Sequence, residues 1–291
     1  MRWLGGREST NLEDRRGAGG PIAIGGIGTV VVVIAAYFLG VDPSVLLEAV
    51  NQGQPQHQTQ TGPDGTGSGT SRSPDARSDT MRQFVAMVLA DTEDVWRQNF
   101  QGMNKAYKDP KLVLYSNSVQ SACGLASAAT GPFYCPGDQK VYFDLSFFEA
   151  MKTRLNSPGE FAQAYVIAHE IGHHVQNQLG IMERASAARE RGDERQSNAI
   201  SVRVELQADC LAGVWANNAD RTRQIIEKGD VEAAMNAAAA VGDDHLQRQS
   251  RGTVMPDSFT HGSSAQRVRW FKRGLDSGNL KSCDTFAADQ L

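Results

Sequence analysis

Three observations predict an α+β domain. From Asp79 to about Met103, the stretch TMRQFVAMVLADTEDVWRQNF spaces Met81, Phe84, Val85, Val88, Leu89, Val95 and Trp96 at three- and four-residue steps, the mark of an amphipathic helix. Between Lys111 and Phe148 the pattern changes to short runs rich in Val, Tyr and Phe, punctuated by Gly and Pro. Beyond Asn156, helical spacing returns and continues towards the C-terminus. These segments imply a small sheet packed on a helix-rich core.

The elements follow in order. KLVLYSNSV, from Lys111 to Val119, reads as a strand, and SACGLASAAT as a short strand of small residues. GPFYCPGD is turn-like, and KVYFDLSFF, from Lys140 to Phe148, reads as a further strand. Together they predict a small antiparallel sheet. Ser157 is placed to cap the next helix, with Pro158 at its first position and Glu160 completing a capping box. That helix carries Phe161, Tyr165, Ile167, Ile171 and Val175 and stops near Gly180. Further helices are expected at about Gln196 to Asn217, Asp230 to Gln249 and Ser263 to Leu275.

The N-terminal quarter has a different character. Pro21 to Val41 reads PIAIGGIGTVVVVIAAYFLGV without a charge, long enough to cross a bilayer core of roughly 30 Å. A cleaved signal peptide is the rival reading, but no A-x-A-like site follows. Arg2, Arg7, Arg15 and Arg16 precede the run, and no Lys or Arg follows it until Arg72. The positive-inside rule then places the N-terminus in the cytoplasm and the remainder outside. Gln52 to Arg77 is rich in Gly, Pro, Gln, Ser and Thr, a composition that cannot bury enough surface to fold. The expected organisation is a cytoplasmic segment at 1–20, a transmembrane helix at 21–41, a flexible linker at 42–77 and a folded domain at 78–291. A net charge of −4 argues against a nucleic-acid partner held by bulk charge.

Cys123, Cys135, Cys210 and Cys283 fit an exported domain. Four cysteines allow three connectivities. The favoured one joins Cys123 to Cys135, clipping a short hairpin, and Cys210 to Cys283, tying the C-terminal tail to a helix. No C-x-x-C pair supports a zinc cluster instead.

The chemistry concentrates in Ala168-His169-Glu170-Ile171-Gly172-His173-His174, which holds three of the chain's six His. His169 and His173 are four apart and share a helix face, so both imidazoles can reach one ion. This is H-E-x-x-H, in which two His bind zinc and Glu170 serves as general base. A catalytic zinc takes a third protein ligand. Glu205 in RVELQADCLAGVW supplies one, and Asp209, one turn on, can accept a hydrogen bond from a ligand His and fix its tautomer. Two acids on an otherwise apolar helix need partners. His174 points about 100° away from His173 and is read as a packing or hydrogen-bonding residue.

The chain resembles the bacterial neutral zinc metallopeptidases, single-span membrane proteins of the gluzincin group with a zincin-like fold. The resemblance covers nearly the whole chain: the Arg-rich start with GGREST and NLEDRRG, the apolar run, SACGLASAATGPFYCPGDQKVYFDLSFF, AHEIGHHVQNQLG, RVELQADCLAGVW and THGSSAQRVRWFKRGL. It implies one zinc ion held by His169, His173 and Glu205, with Glu170 as the catalytic Glu in peptide-bond hydrolysis, and a protein or peptide as substrate. THGSSAQRVRWF also resembles the T-H-P-x-x-x-x-R segment of prenyl-protein and heat-shock membrane proteases. That resemblance makes His261 a donor to the oxyanion, or else a fourth ligand, with Gly262 in place of the Pro. A helix-capping role is its rival. Arg267 is read either as a partner for an acid near the zinc helices or, equally, as a surface Arg. Related proteases add the substrate as a strand to a sheet edge, and Gly124, Leu125 and Ala126 are expected to form that edge, with a simply packed hairpin as the rival reading.

Overall fold

The computed structural model describes residues 1–16, 76–127 and 130–291. The expected span at 21–41 lies outside the described residues, as does most of the linker at 42–77. Among the described residues no helix is long and apolar enough to cross a membrane.

The first long element is helix α1 (Ala76–Gly102), which starts inside the expected linker. Its apolar spacing buries Phe84, Val85, Val88, Leu89, Trp96 and Phe100 in the main core. Each such side chain contributes about 1.5–3 kcal/mol when fully buried. The opposite face is buried too: Ala86, Met87, Ala90, Asp91 and Glu93 are all below 6% exposed. The cover is the chain's own N-terminus. Residues Met1–Ala18 form one compact unit with Pro74–Leu291, which corrects the expectation of a separate segment at 1–20. Trp3 packs edge-on against Phe84 with ring centroids 5.4 Å apart. Ser9 donates its N–H to the Ala86 carbonyl at 3.0 Å. The Met1 ammonium pairs with Asp230 at 3.2 Å.

The N-terminal strap ends in β1 (Leu12–Asp14), which pairs parallel with β2 (Lys111–Tyr115). Asn117 adopts φ 68° after β2, and the chain breaks into a separate antiparallel hairpin, β3 (Ser118–Ser121) and β4 (Gly124–Ser127). β5 (Phe133–Cys135) and β6 (Lys140–Asp144) complete the main sheet, whose order is β1-β2-β6-β5. Only β5–β6 is antiparallel, because β2–β6 and β1–β2 run parallel. The antiparallel sheet expected from short spacing is therefore a mixed sheet, with the hairpin inserted between its parallel strands. Cys123 and Cys135 are joined across the hairpin and β5, and Cys210 is joined to Cys283.

Helix α2 (Ser146–Thr153) ends the run expected as one long strand. Asp144 explains the switch: its carboxylate accepts the Ser146 N–H at 2.9 Å, an Asx-type start to the helix. Helix α3 (Glu160–Gln178) carries the H-E-x-x-H motif. The expected capping box is absent; Gly159 occupies the N-cap with φ 116°, and the Ser157 hydroxyl turns to the Leu155 carbonyl. α4 (Ile181–Arg189) follows through Gly180 in the left-handed region. α5 (Glu194–Arg223) begins at a capping box formed by Asp193 and Gln196. The helix expected from Asp230 to Gln249 is two helices, α6 (Asp230–Ala240) and α7 (Asp243–Arg251). α8 (Ser264–Ser277) starts at a second capping box, Ser263 with Gln266.

Two close approaches set the relation between the site helices. A Cβ on Gly172 of α3 would lie 3.1 Å from the Ala208 carbonyl oxygen of α5. A Cβ on Gly274 of α8 would lie 1.9 Å from the Cys210 oxygen of α5. Backbone meets backbone at both crossings, so α3, α5 and α8 bring their polar faces within hydrogen-bond reach.

Candidate metal centre

His169, Glu170 and His173 sit on the buried face of α3, all below 10% exposed. Glu205 approaches from α5. Its Oε2 lies 3.2 Å from His169 Nε2 and its Oε1 lies 3.5 Å from His173 Nε2. Ligand atoms each 2.0–2.1 Å from a tetrahedral zinc would stand about 3.3 Å apart. These three residues form a group whose ligand atoms all fall within 4.8 Å of one another, the one such group among the described residues. Spacing and donor chemistry, two imidazole nitrogens and a carboxylate, fit zinc.

Each imidazole is held by its far nitrogen. His169 Nδ1 donates to Asp209 Oδ1 at 2.9 Å. His173 Nδ1 meets Gln176 Oε1 at 2.9 Å. Gln176 spends its amide hydrogens on the Val204 carbonyl at 2.7 Å and Gln207 Oε1 at 3.0 Å, so its oxygen can only accept, and His173 Nδ1 is the donor. Each ring thus turns Nε2 towards Glu205, where an ion would take the place of the Nε2 proton, and the partner on Nδ1 fixes the ring's orientation. Gln176 was not anticipated from sequence, although it stands one helical turn beyond His173 and so on the same face.

Asp209 is fully buried and takes four hydrogen bonds. Besides His169 they come from Tyr165 Oη at 2.5 Å and from Arg267 Nε and Nη2, both at 2.9 Å. Burial works against the Asp209 charge, but Arg267 and then His169 outweigh it and keep the carboxyl below its ordinary range. Burial likewise opposes the Glu205 charge, and the facing His173 and His169 hold that carboxyl well below its ordinary range. Arg267, itself 4% exposed, thus pairs with Asp209 of α5, which decides against the surface reading. His174 lies apart, with Nδ1 on Tyr134 Oη at 3.0 Å and Nε2 on the Lys108 carbonyl at 2.7 Å. Both of its ring nitrogens are thus engaged away from the His169, His173 and Glu205 group.

The three ligands open into a cleft of about 500 Å³ that Glu170, His261, Phe133, Tyr134, Val166 and Leu246 help to line. His261 stands on the rim outside the ligand group. Its N–H donates to Asp243 Oδ2 at 2.6 Å, and its Nδ1 lies 3.2 Å from Asp243 Oδ1. Gly124, Leu125 and Ala126 do not line the cleft. They belong to the separate hairpin, and Thr130 to Tyr134 line the cleft instead. β5 is the outer strand of the main sheet beside the cleft, and among the described residues it pairs with β6 alone. The turn-like spacing of GPFYCPGD concealed it.

The family described as putative neutral zinc metallopeptidase matches residues 1–286. The chain belongs to this family. It is 46% identical over 297 residues to the uncharacterized protein YpfJ of Escherichia coli K12, covering 98% of this chain and 99% of that one. It is 44% identical over 207 residues to the uncharacterized protein Rv2575 of Mycobacterium tuberculosis H37Rv, covering 68% of each. No solved structure matches it significantly. The family match spans the N-terminal strap as well as the residues of the candidate metal centre.

Proposed function

We propose that the protein is a zinc-dependent endopeptidase of gluzincin type that hydrolyses peptide bonds in proteins or peptides. The observation that carries this reading is the convergence of His169, His173 and Glu205 on one point, with Glu170 lining the same cleft. His169, His173 and Glu205 would hold the ion. Bound zinc supplies Lewis acidity and a water acidified towards neutrality. Glu170 takes the proton of the attacking water and delivers it to the leaving amine. His261, oriented by Asp243, donates to the oxyanion from the rim of the cleft. The free edge of β5 receives the substrate backbone as an added strand, replacing the expected role of Gly124, Leu125 and Ala126. The two disulfides favour work in an oxidising, extracytoplasmic compartment, and the apolar run at 21–41 favours a membrane location.

The test is Glu170→Gln in the full chain, with zinc measured by mass spectrometry and cleavage followed on unfolded protein substrates. Glu170→Gln should retain one zinc and lose cleavage by 100-fold or more, and Glu205→Ala should lose the zinc. A Glu170→Gln variant as active as the parent would overturn the assignment of the base. Parent and variant equally inactive on a broad peptide library would favour a zinc-stabilised binding domain.

A further inference from the structure

We propose that residues 1–16 and residues 76–291 lie on the same side of the membrane. The expected orientation puts them on opposite sides, with one crossing at 21–41 between them. The contacts of the strap are incompatible with that separation. Glu93 on α1 is fully buried, and its carboxylate accepts hydrogen bonds from three strap side chains: Arg7 at 2.8 Å, Asn11 at 2.8 Å and Ser9. β1 lies in register on β2, with Leu12 opposite Leu112 and Asp14 opposite Leu114. These are interior contacts of one folded unit.

The two ends of residues 17–75 are also adjacent. Arg15 N–H donates to the Leu114 carbonyl at 2.8 Å, and Arg16 Nη1 donates to the Ser78 carbonyl at 3.1 Å. A single crossing would set Arg16 and Ser78 about 30 Å apart, across the hydrocarbon core. A second crossing needs another apolar stretch of about 17 residues with its backbone satisfied. Residues 52–75 are polar and rich in Gly and Pro and offer none. Arg16 and Ser78, on either side of that stretch, therefore lie side by side in one folded unit.

The charges that suggested the opposite orientation are already used. Arg2 pairs with Glu227, Arg7 with Glu93 and Asp94, Arg15 with Glu13, and Arg16 with Asp14. Each arginine thus has an acidic partner in the fold, which accounts for these charges without a cytoplasmic flank.

Labelling full-length protein in its native membrane tests the proposal. Leu4→Cys and Met255→Cys place single thiols at strap and domain positions that are 78% and 57% exposed. With a membrane-impermeant maleimide, both should react in intact spheroplasts, or both only after permeabilisation. Reaction of one from outside and the other only after permeabilisation overturns the proposal. Unmodified protein provides a second measurement, because Glu13 lies 3.0 Å from Lys140 Nζ and 3.2 Å from Lys111 Nζ. Carbodiimide treatment should yield Glu13–Lys140 or Glu13–Lys111 cross-links by mass spectrometry. No link at Glu13, while the exposed Lys272–Asp276 pair at 2.7 Å is linked, also overturns it. Neither measurement depends on peptidase activity.

Discussion

Replacing Arg267 with Met tests the frame of the metal centre without touching a ligand. Asp209 is 0% exposed and receives four hydrogen bonds, two of them from the Arg267 guanidinium. Methionine fills much of the same space but offers no donor and no charge. The Asp209 carboxylate is left buried with only Tyr165 and His169 as partners. Removing one member of such a buried pair costs about 3–5 kcal/mol, against a total stability of about 5–15 kcal/mol for a typical protein. The assay is chemical denaturation of full-length, zinc-depleted protein, so that metal affinity does not enter the comparison. Adding Asp209→Asn to Arg267→Met should recover part of the loss, because a neutral amide is cheaper to bury than an unpaired carboxylate. A cost below about 1 kcal/mol for Arg267→Met, or a double variant whose losses simply add, would refute the reasoning.

Gly274→Ala should cost about 3 kcal/mol or more, since its Cβ would lie 1.9 Å from the Cys210 oxygen; an unchanged melting temperature would contradict this. Removing the Cys210–Cys283 link with paired Ala substitutions should cost about 4 kcal/mol, from the loop of 73 residues that it closes; equal denaturation midpoints in parent and variant would count against it. Burial is the main cause that lifts the Asp91 carboxyl from 3.8 to about 6, with Arg223 partly opposing. The folded state then binds the Asp91 proton more tightly than the unfolded state, so stability falls as pH rises from about 4 to 6 and levels off above. Asp91→Asn should flatten that slope in melting curves, and an unaltered slope would exclude Asp91 as its source. Chelation of zinc should abolish cleavage yet leave far-UV circular dichroism at 25 °C unchanged, and unfolding on chelation would show that the metal holds the fold.

The metal centre was legible because helical spacing maps directly onto proximity. His169 and His173 are one turn apart on α3, and Glu205 and Asp209 are one turn apart on α5, so each pair shares a face whatever else the chain does. Of the favoured disulfide pairing, Cys123–Cys135 follows from local order, 12 residues apart, whereas Cys210–Cys283 closes 73 residues and does not. The strap was not legible. Leu12–Asp14 is three residues long, with no period to detect, and it is a strand only because β2 lies beside it. Its arginines resemble a cytoplasmic flank until their partners, Glu93 and Asp94 among them, are seen across more than 80 residues of sequence. β5 was missed for a related reason: Phe133–Cys135 is flanked by Pro132 and Pro136, which read as a turn, while its strand character comes from pairing with β6. At Ser157 local chemistry was outcompeted, as Gly159 took the cap position and the hydroxyl found the Leu155 carbonyl.

The arrangement around the ligands explains why the fold should outlast the metal. Each ligand imidazole is oriented from α5, His169 directly by Asp209 and His173 through Gln176, which is itself held by Val204 and Gln207. α5 is in turn fixed to α8 by Arg267, by the close crossing at Gly274 and through the Cys283 tail. Phe161 stacks on Trp215 with ring centroids 6.1 Å apart, locking α3 to α5 far from the ligands. None of these contacts uses Nε2 of either histidine. Small zinc domains fold only when metal joins their ligands because they lack such a core. Here the positions of His169, His173 and Glu205 are set by helix packing, so the binding free energy of an ion they would hold would not be consumed in ordering the chain.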